Sequence, residues 1–167
     1  AWMALGAVTE LRTRSSSSEL EGAVIELWGR PQAQMAPGVS AAVPRGETPS
    51  GEAILVPVPV DLASSEIRAA LNLDYRRKGL LWFSTYGVDF GGEWTAVNPF
   101  AATREFIITF RFPAGEAIYD AFSFTVNGRE AAARTTTDGG LETSLALAPG
   151  ERVAFAVAYR SRGMDTW

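Results

Sequence analysis

Residues 152–160 read RVAFAVAYR, and this stretch decides the fold. Val153, Phe155, Val157 and Tyr159 occupy every second position, alternating with Arg152, Ala154, Ala156, Ala158 and Arg160. A strand sends successive side chains to opposite faces, so this period belongs to a strand with one apolar face. Upstream, Leu141, Thr143, Leu145 and Leu147 repeat the pattern, and Ala148-Pro149-Gly150-Glu151 supplies turn chemistry between the two. Phe122, Phe124 and Val126 run into Asn127-Gly128, a pair that accepts the positive φ of a tight hairpin. Phe106, Ile108, Phe110 and Phe112 alternate with Ile107, Thr109 and Arg111 until Pro113 closes that strand. Short alternating strands with regular turns predict a mainly β domain, an antiparallel β-sandwich.

The first half continues the theme less regularly. Ile54, Val56, Val58 and Val60 share a face, interleaved with Leu55, Pro57 and Pro59. The two prolines remove donors on one lateral side, so 53–60 is an edge strand or a polyproline-like strap. Residues 64–75 contain helix formers, but Ile67, Ala69, Leu71, Leu73 and Tyr75 alternate unbroken with Glu66, Arg68, Ala70, Asn72 and Asp74. That alternation outweighs propensity and predicts a strand. Arg76-Arg77-Lys78-Gly79 reads as the turn after it. Leu80, Trp82, Tyr86 and Val88 then line one face, which reads as core, of a strand ending near Gly91-Gly92. Glu93-Trp94-Thr95 starts the next.

The N-terminal 30 residues read differently from the sandwich expected over 31–167. Ser18 and Glu21 form a capping box, and Leu20, Val24, Leu27 and Trp28 make one apolar stripe. Gly29 and Pro31 supply the stop. A short amphipathic helix over 19–28 is expected, with the serines at 15–18 as a hinge before it. No apolar run approaches the ~18–20 residues that span a bilayer. The start AWMALGAV (1–8) carries no charge and no signal-peptide layout. It fits either the end of a longer membrane helix or a first turn packed on the core.

Composition removes most catalytic classes. Fifteen basic and nineteen acidic residues leave a net charge of −4, which is no footprint for nucleic acid. There is no histidine, so imidazole-based triads and nearly all zinc sites are excluded. There is no cysteine, so disulfides, iron–sulfur clusters and thiol chemistry are excluded as well. Carboxylates remain, and Asp89 and Glu93 flank Gly91-Gly92 beside Phe90 and Trp94, the cast of a two-carboxylate hydrolase. The competing reading places both acids on a solvated hairpin loop. Asp138-Gly139-Gly140 offers too few oxygens for calcium and reads as a turn. Lys78, the sole lysine, lies in a predicted turn and is ordinary. The expectation is no catalytic residue, no cofactor and no metal.

Tryptophans supply the candidate contacts. Trp2 and Trp167 stand where an interfacial membrane belt would place them, or else pack between the termini. Arg160 and Arg162 are candidates for lipid headgroups, and Trp28, Gln32 and Trp94 for a partner. Trp94 and Tyr86 are also the candidate stacking surfaces for a sugar.

At Trp28-Gly29-Arg30-Pro31-Gln32, followed by Ala36-Pro37 and Pro44, the chain resembles inner-membrane proteins of the CreD type, which are associated with bacterial cell-envelope integrity. The stretch from Asp61 through Arg76-Arg77-Lys78-Gly79-Leu80 to Gly92-Glu93-Trp94 is similar to that family's strand, turn and strand. The likeness covers roughly 12–95 and does not extend across 104–167. It implies a β-rich domain between transmembrane helices and carries over no catalytic residue.

The expectation is therefore a non-enzymatic extracytoplasmic domain of an integral inner-membrane protein, with an interaction or sensing role in the cell envelope. Its partners would be the bilayer, through flanking transmembrane helices, and another envelope protein or cell-wall glycan, with no nucleic acid. A carbohydrate- or peptidoglycan-binding module is the alternative, and a carboxylate hydrolase the third reading.

Overall fold

In a computed structural model, the structure describes residues 22, 25, 31–78, 81–115 and 117–164. The helix expected over 19–28 and the start at 1–8 lie outside the described residues, two isolated positions apart.

Ten strands run β1 (Gly38–Glu47), β2 (Ala53–Pro59), β3 (Leu62–Lys78), β4 (Leu81–Val97), β5 (Arg104–Phe110), β6 (Asp120–Val126), β7 (Arg129–Glu130), β8 (Arg134–Thr135), β9 (Leu141–Leu147) and β10 (Arg152–Met164). They make two five-stranded antiparallel sheets, ordered β2-β1-β5-β9-β8 and β3-β4-β10-β6-β7. The chain alternates between the sheets, in the hairpins β1-β2, β3-β4, β6-β7 and β8-β9 and the single strands β5 and β10, so each apolar face meets one made elsewhere in the sequence. The β-sandwich expected from the alternation is the architecture found.

The inward residues are those the period selects. Val153, Phe155, Val157 and Tyr159 on β10 are buried, facing Phe106, Ile108 and Phe110 on β5. Tyr159 stacks on Phe90 at 4.8 Å and Phe155 on Trp94 at 5.7 Å. Asn127 (φ 50°) and Gly128 (φ 74°) form the tight turn from β6 to β7. The Asn127 amide N–H and side-chain oxygen both bond Ala154, which locks this hairpin to β10. The strand expected over 64–75 is β3, and the proline-bearing β2 is an edge.

Three local expectations are corrected. Gly91-Gly92 does not end a strand: β4 runs straight through it, paired on both sides. A Cβ at Gly92 would lie 2.5 Å from Cζ2 and 2.8 Å from Cζ3 of Trp94, so this glycine makes room for a ring and turns nothing. The turn expected at 76–79 is displaced, because pairing continues through Arg77↔Trp82 to Lys78↔Leu81. Trp82, expected in the core, is 66% exposed. Met164, the last described residue of β10, pairs with Thr85, so among the described residues β3 and β4 alone form a two-stranded ribbon at Trp82.

Corners are held by buried polar groups. Asn98, 1% exposed, sends its amide N–H groups to the carbonyls of Leu147, Ala148 and Ala102, and its side-chain oxygen accepts from Phe100 N–H. Its own backbone bonds Glu151 O and Gly150 N–H. One side chain therefore ties the β4–β5 corner to the β9–β10 turn.

Candidate functional site

The two acids of the hydrolase reading do not converge. Asp89 and Glu93 lie on the outer face of one straight strand, and four residues of rise separate them by about 13 Å. Each faces its own arginine, Asp89 with Arg160 at 3.7 Å and Glu93 with Arg68 at 3.9 Å. The ~5–10 Å spacing of a glycosidase pair is not met within this strand. Among the described residues, no three acidic groups gather as metal ligands. Asp138 sits in the turn expected of it, its carboxylate held below the usual value chiefly by the Thr136 hydroxyl.

Most aromatic candidates are packing groups. Trp94 is 1% and Tyr86 3% exposed, so neither offers a face to a sugar or a partner. Gln32 is also buried, and its Nε2 donates to Ser161 Oγ at 2.9 Å and to Arg162 O at 2.7 Å. Two residues on, Gln34 accepts from the Tyr159 hydroxyl at 2.9 Å and donates to Arg111 O at 3.2 Å. The segment 31–37 is thus a strap across one end of the sandwich, bonded to β10 and to the residue after β5. Arg160 and Arg162 are exposed on β10 close to that strap. Trp2, Trp28 and Trp167 lie outside the described residues.

What the structure does bring together is an open edge. Along β3, Ile67, Leu71, Leu73 and Tyr75 pair with Gly92, Val88, Tyr86 and Ser84, so they share the inward face of the sheet. Yet Ile67 is 55%, Leu73 72% and Tyr75 65% exposed. On the other sheet, Ile54 and Val56 of β2 share the inward face with Val43 of β1 and are exposed too. Among the described residues, the sheets therefore leave their inner faces uncovered along the β2 and β3 edges. At the ribbon tip, Arg77 lies over the Trp82 ring at 6.0 Å, with Tyr75 diagonal to Trp82 on the same face.

The outer face of the β3-β4-β10-β6 sheet is shallow. Two grooves of about 290 and 110 Å³ cross it, floored by small residues such as Ala154, Ala156 and Gly91 and bordered by Glu66 and Glu93. Those acids are exposed and face arginine, which is a solvated surface and no reaction centre.

No protein-family model, curated protein or solved structure matches the chain.

Reading the residues in order missed the open edge. Periodicity assigns a side chain to a face, whereas the reach of the facing sheet decides whether that face is covered. The available signal was the length of the alternation through 62–78, longer than the other strands could cover.

Proposed function

We propose that the sandwich is a non-enzymatic interaction domain on the extracytoplasmic side of a bacterial inner membrane, held to the bilayer through segments on both sides of it. The observation that carries this reading is the bonding of Gln32 to Ser161 and Arg162. It sets residue 32, near the start of the described sandwich, beside residues 161 and 162 near its end, which suits two tethers to one surface. Arg160 and Arg162, exposed beside them, suit anionic headgroups. The resemblance of 12–95 to CreD-type proteins supports the same setting. The interaction role draws on the uncovered inner faces of β2 and β3, since apolar strips of this kind mark sites of association.

No cysteine occurs in the 167 residues, so with any cysteine elsewhere in the polypeptide changed to serine, a single introduced one reports on this domain alone. Ser144→Cys, exposed on the outer face of β9, is introduced into the parent polypeptide. A membrane-impermeant maleimide should label it in intact spheroplasts, and the protein should stay with the membranes through alkaline carbonate. Labelling only after lysis, or release by carbonate, would remove the proposal.

Glycan binding keeps one specific support, the exposed Tyr75 and Trp82 on a single face of the ribbon. Base or sugar rings stack on such faces, so millimolar cell-wall fragments should change the tryptophan fluorescence, and Trp82→Ala should abolish the change. No change in the unmodified chain would exclude this second reading. Trp82→Ala itself should shift stability by less than about 0.5 kcal/mol, as expected of a surface side chain.

A further inference from the structure

Among the described residues the two sheets have four edges, and three of them are blunted. β2 carries Pro57 and Pro59, while β7 and β8 are two residues long. Proline and brevity are the usual means of preventing strand addition. β3 has neither: it extends over 17 residues without proline, and in an antiparallel ladder alternate N–H and C=O groups along it point away from β4.

Its sequence is also its own complement. Residues 66–76 read EIRAALNLDYR. Placed antiparallel to a second copy with Leu71 opposite Leu71, Glu66 faces Arg76 and Arg68 faces Asp74 on the outer face. On the inner face, Ile67 meets Tyr75 and Ala69 meets Leu73. Within each copy, Arg68 already pairs with Glu66 and Arg76 with Asp74 at 2.5 Å, so the two strands would bring together alternating charges. Moving the register by two residues in one direction sets Glu66 against Asp74, and in the other Arg68 against Arg76. A single register therefore satisfies the charges.

We propose that β3 is a self-pairing edge, through which two copies of this chain join antiparallel about a two-fold axis at Leu71 to form one continuous ten-stranded sheet. Pairing over 66–76 supplies about ten main-chain hydrogen bonds along about 36 Å. It also covers Ile67, Leu71, Leu73 and Tyr75, the inner-face residues left open in one copy, with the same residues of the other. A two-fold contact of this kind closes on itself and stops at the dimer. The proposal rests on the interaction reading above but not on the membrane setting, and the two tests fail separately.

Sedimentation of the 167-residue chain should give a monomer–dimer equilibrium at micromolar concentrations. Glu66→Arg with Arg68→Asp sets like charges opposite Arg76 and Asp74 and should weaken the dimer about 100-fold or more. Asp74→Arg with Arg76→Glu should do the same. Mixing the two double variants makes all four cross-strand pairs opposite again and should restore association between unlike copies only. All four side chains are at least half exposed or nearly so, which spares the fold. In a separate measurement, Leu71→Cys should crosslink to itself on mild oxidation, whereas Ala69→Cys should crosslink only when mixed with Leu73→Cys. A monomer at every concentration to about 1 mM, far above the affinity range of specific dimers, overturns the proposal. A dimer indifferent to both charge exchanges overturns it equally.

Discussion

Asn98→Asp should lower the stability of the domain by about 4 kcal/mol, more than any other change of a single atom group considered for this fold. The two side chains have nearly the same shape, so packing is preserved and only the hydrogen-bonding changes. In the native protein, the Asn98 amide donates to the carbonyls of Leu147, Ala148 and Ala102 from a site that is 1% exposed. A carboxylate places a negatively charged acceptor against three carbonyl acceptors in a dry corner and takes away the donor they share, although Ala148 O keeps its bond from Glu151 N–H. The charged form is thereby disfavoured, which raises the folded-state pKa of the new carboxyl above its unfolded value. The sign follows: the penalty is greatest above the folded pKa and shrinks as pH falls through it toward the unfolded value of about 3.9, below which the group is protonated in both states. Urea unfolding of both chains at pH 7 and pH 4.5 reads this out as a closing gap. For a domain of this size the pH 7 difference corresponds to a fall of about 12 °C in Tm. A gap below about 1 kcal/mol that ignores pH would mean the corner is not held as described.

Asn98 also illustrates what could and could not be read from the residues. Beside Pro99, it has the local appearance of a loop asparagine. Two of its partners, Leu147 and Ala148, lie some 50 positions away, and nothing in its neighbourhood announces them. Elements whose physics is local were legible. The β9–β10 pair, the Asn127-Gly128 hairpin and the proline-marked edge all follow from period, φ and missing donors within a few residues. The β3 segment is a strand, as its alternation predicts, because an alternating face gains more by packing on a sheet than its alanines gain by coiling. The misreadings share one cause. Gly91-Gly92 resembles a turn only until the Trp94 ring above it is known, and Trp82 resembles core only until its side chain is found 66% exposed.

The site was legible in parts for the same reason. Asp89 and Glu93 are neighbours in sequence, but a strand that does not turn carries them apart at about 3.3 Å per residue. The mirrored charges of Glu66, Arg68, Asp74 and Arg76 are visible in the bare sequence, yet they acquire meaning only on an unpaired edge. On a central strand the same pattern would be an ordinary solvated face.

Gly92→Ala should destabilise the domain by about 3 kcal/mol, although alanine is the better strand former. The reason is the Trp94 benzo ring, which folds back along its own strand over the Gly92 Cα and occupies the place a Cβ would take. That ring cannot swing aside, because it is 1% exposed and stacked on Phe155 at 5.7 Å. Relief therefore requires either a shift of β4 between its two partners or a strained rotamer at Trp94. Trp94→Phe removes the ring atoms in question and should itself cost about 2 kcal/mol in lost burial. It also discards an indole N–H that is buried without a partner. In the Trp94→Phe background, Gly92→Ala should cost less than about 1 kcal/mol, because the methyl enters the space the benzo ring vacates. The double-mutant cycle should then return a coupling of about 2 kcal/mol in favour of the pair. Equal costs of Gly92→Ala in both backgrounds would show that the glycine is needed for its backbone alone, and the close approach of ring to main chain would lose its place in the account of β4.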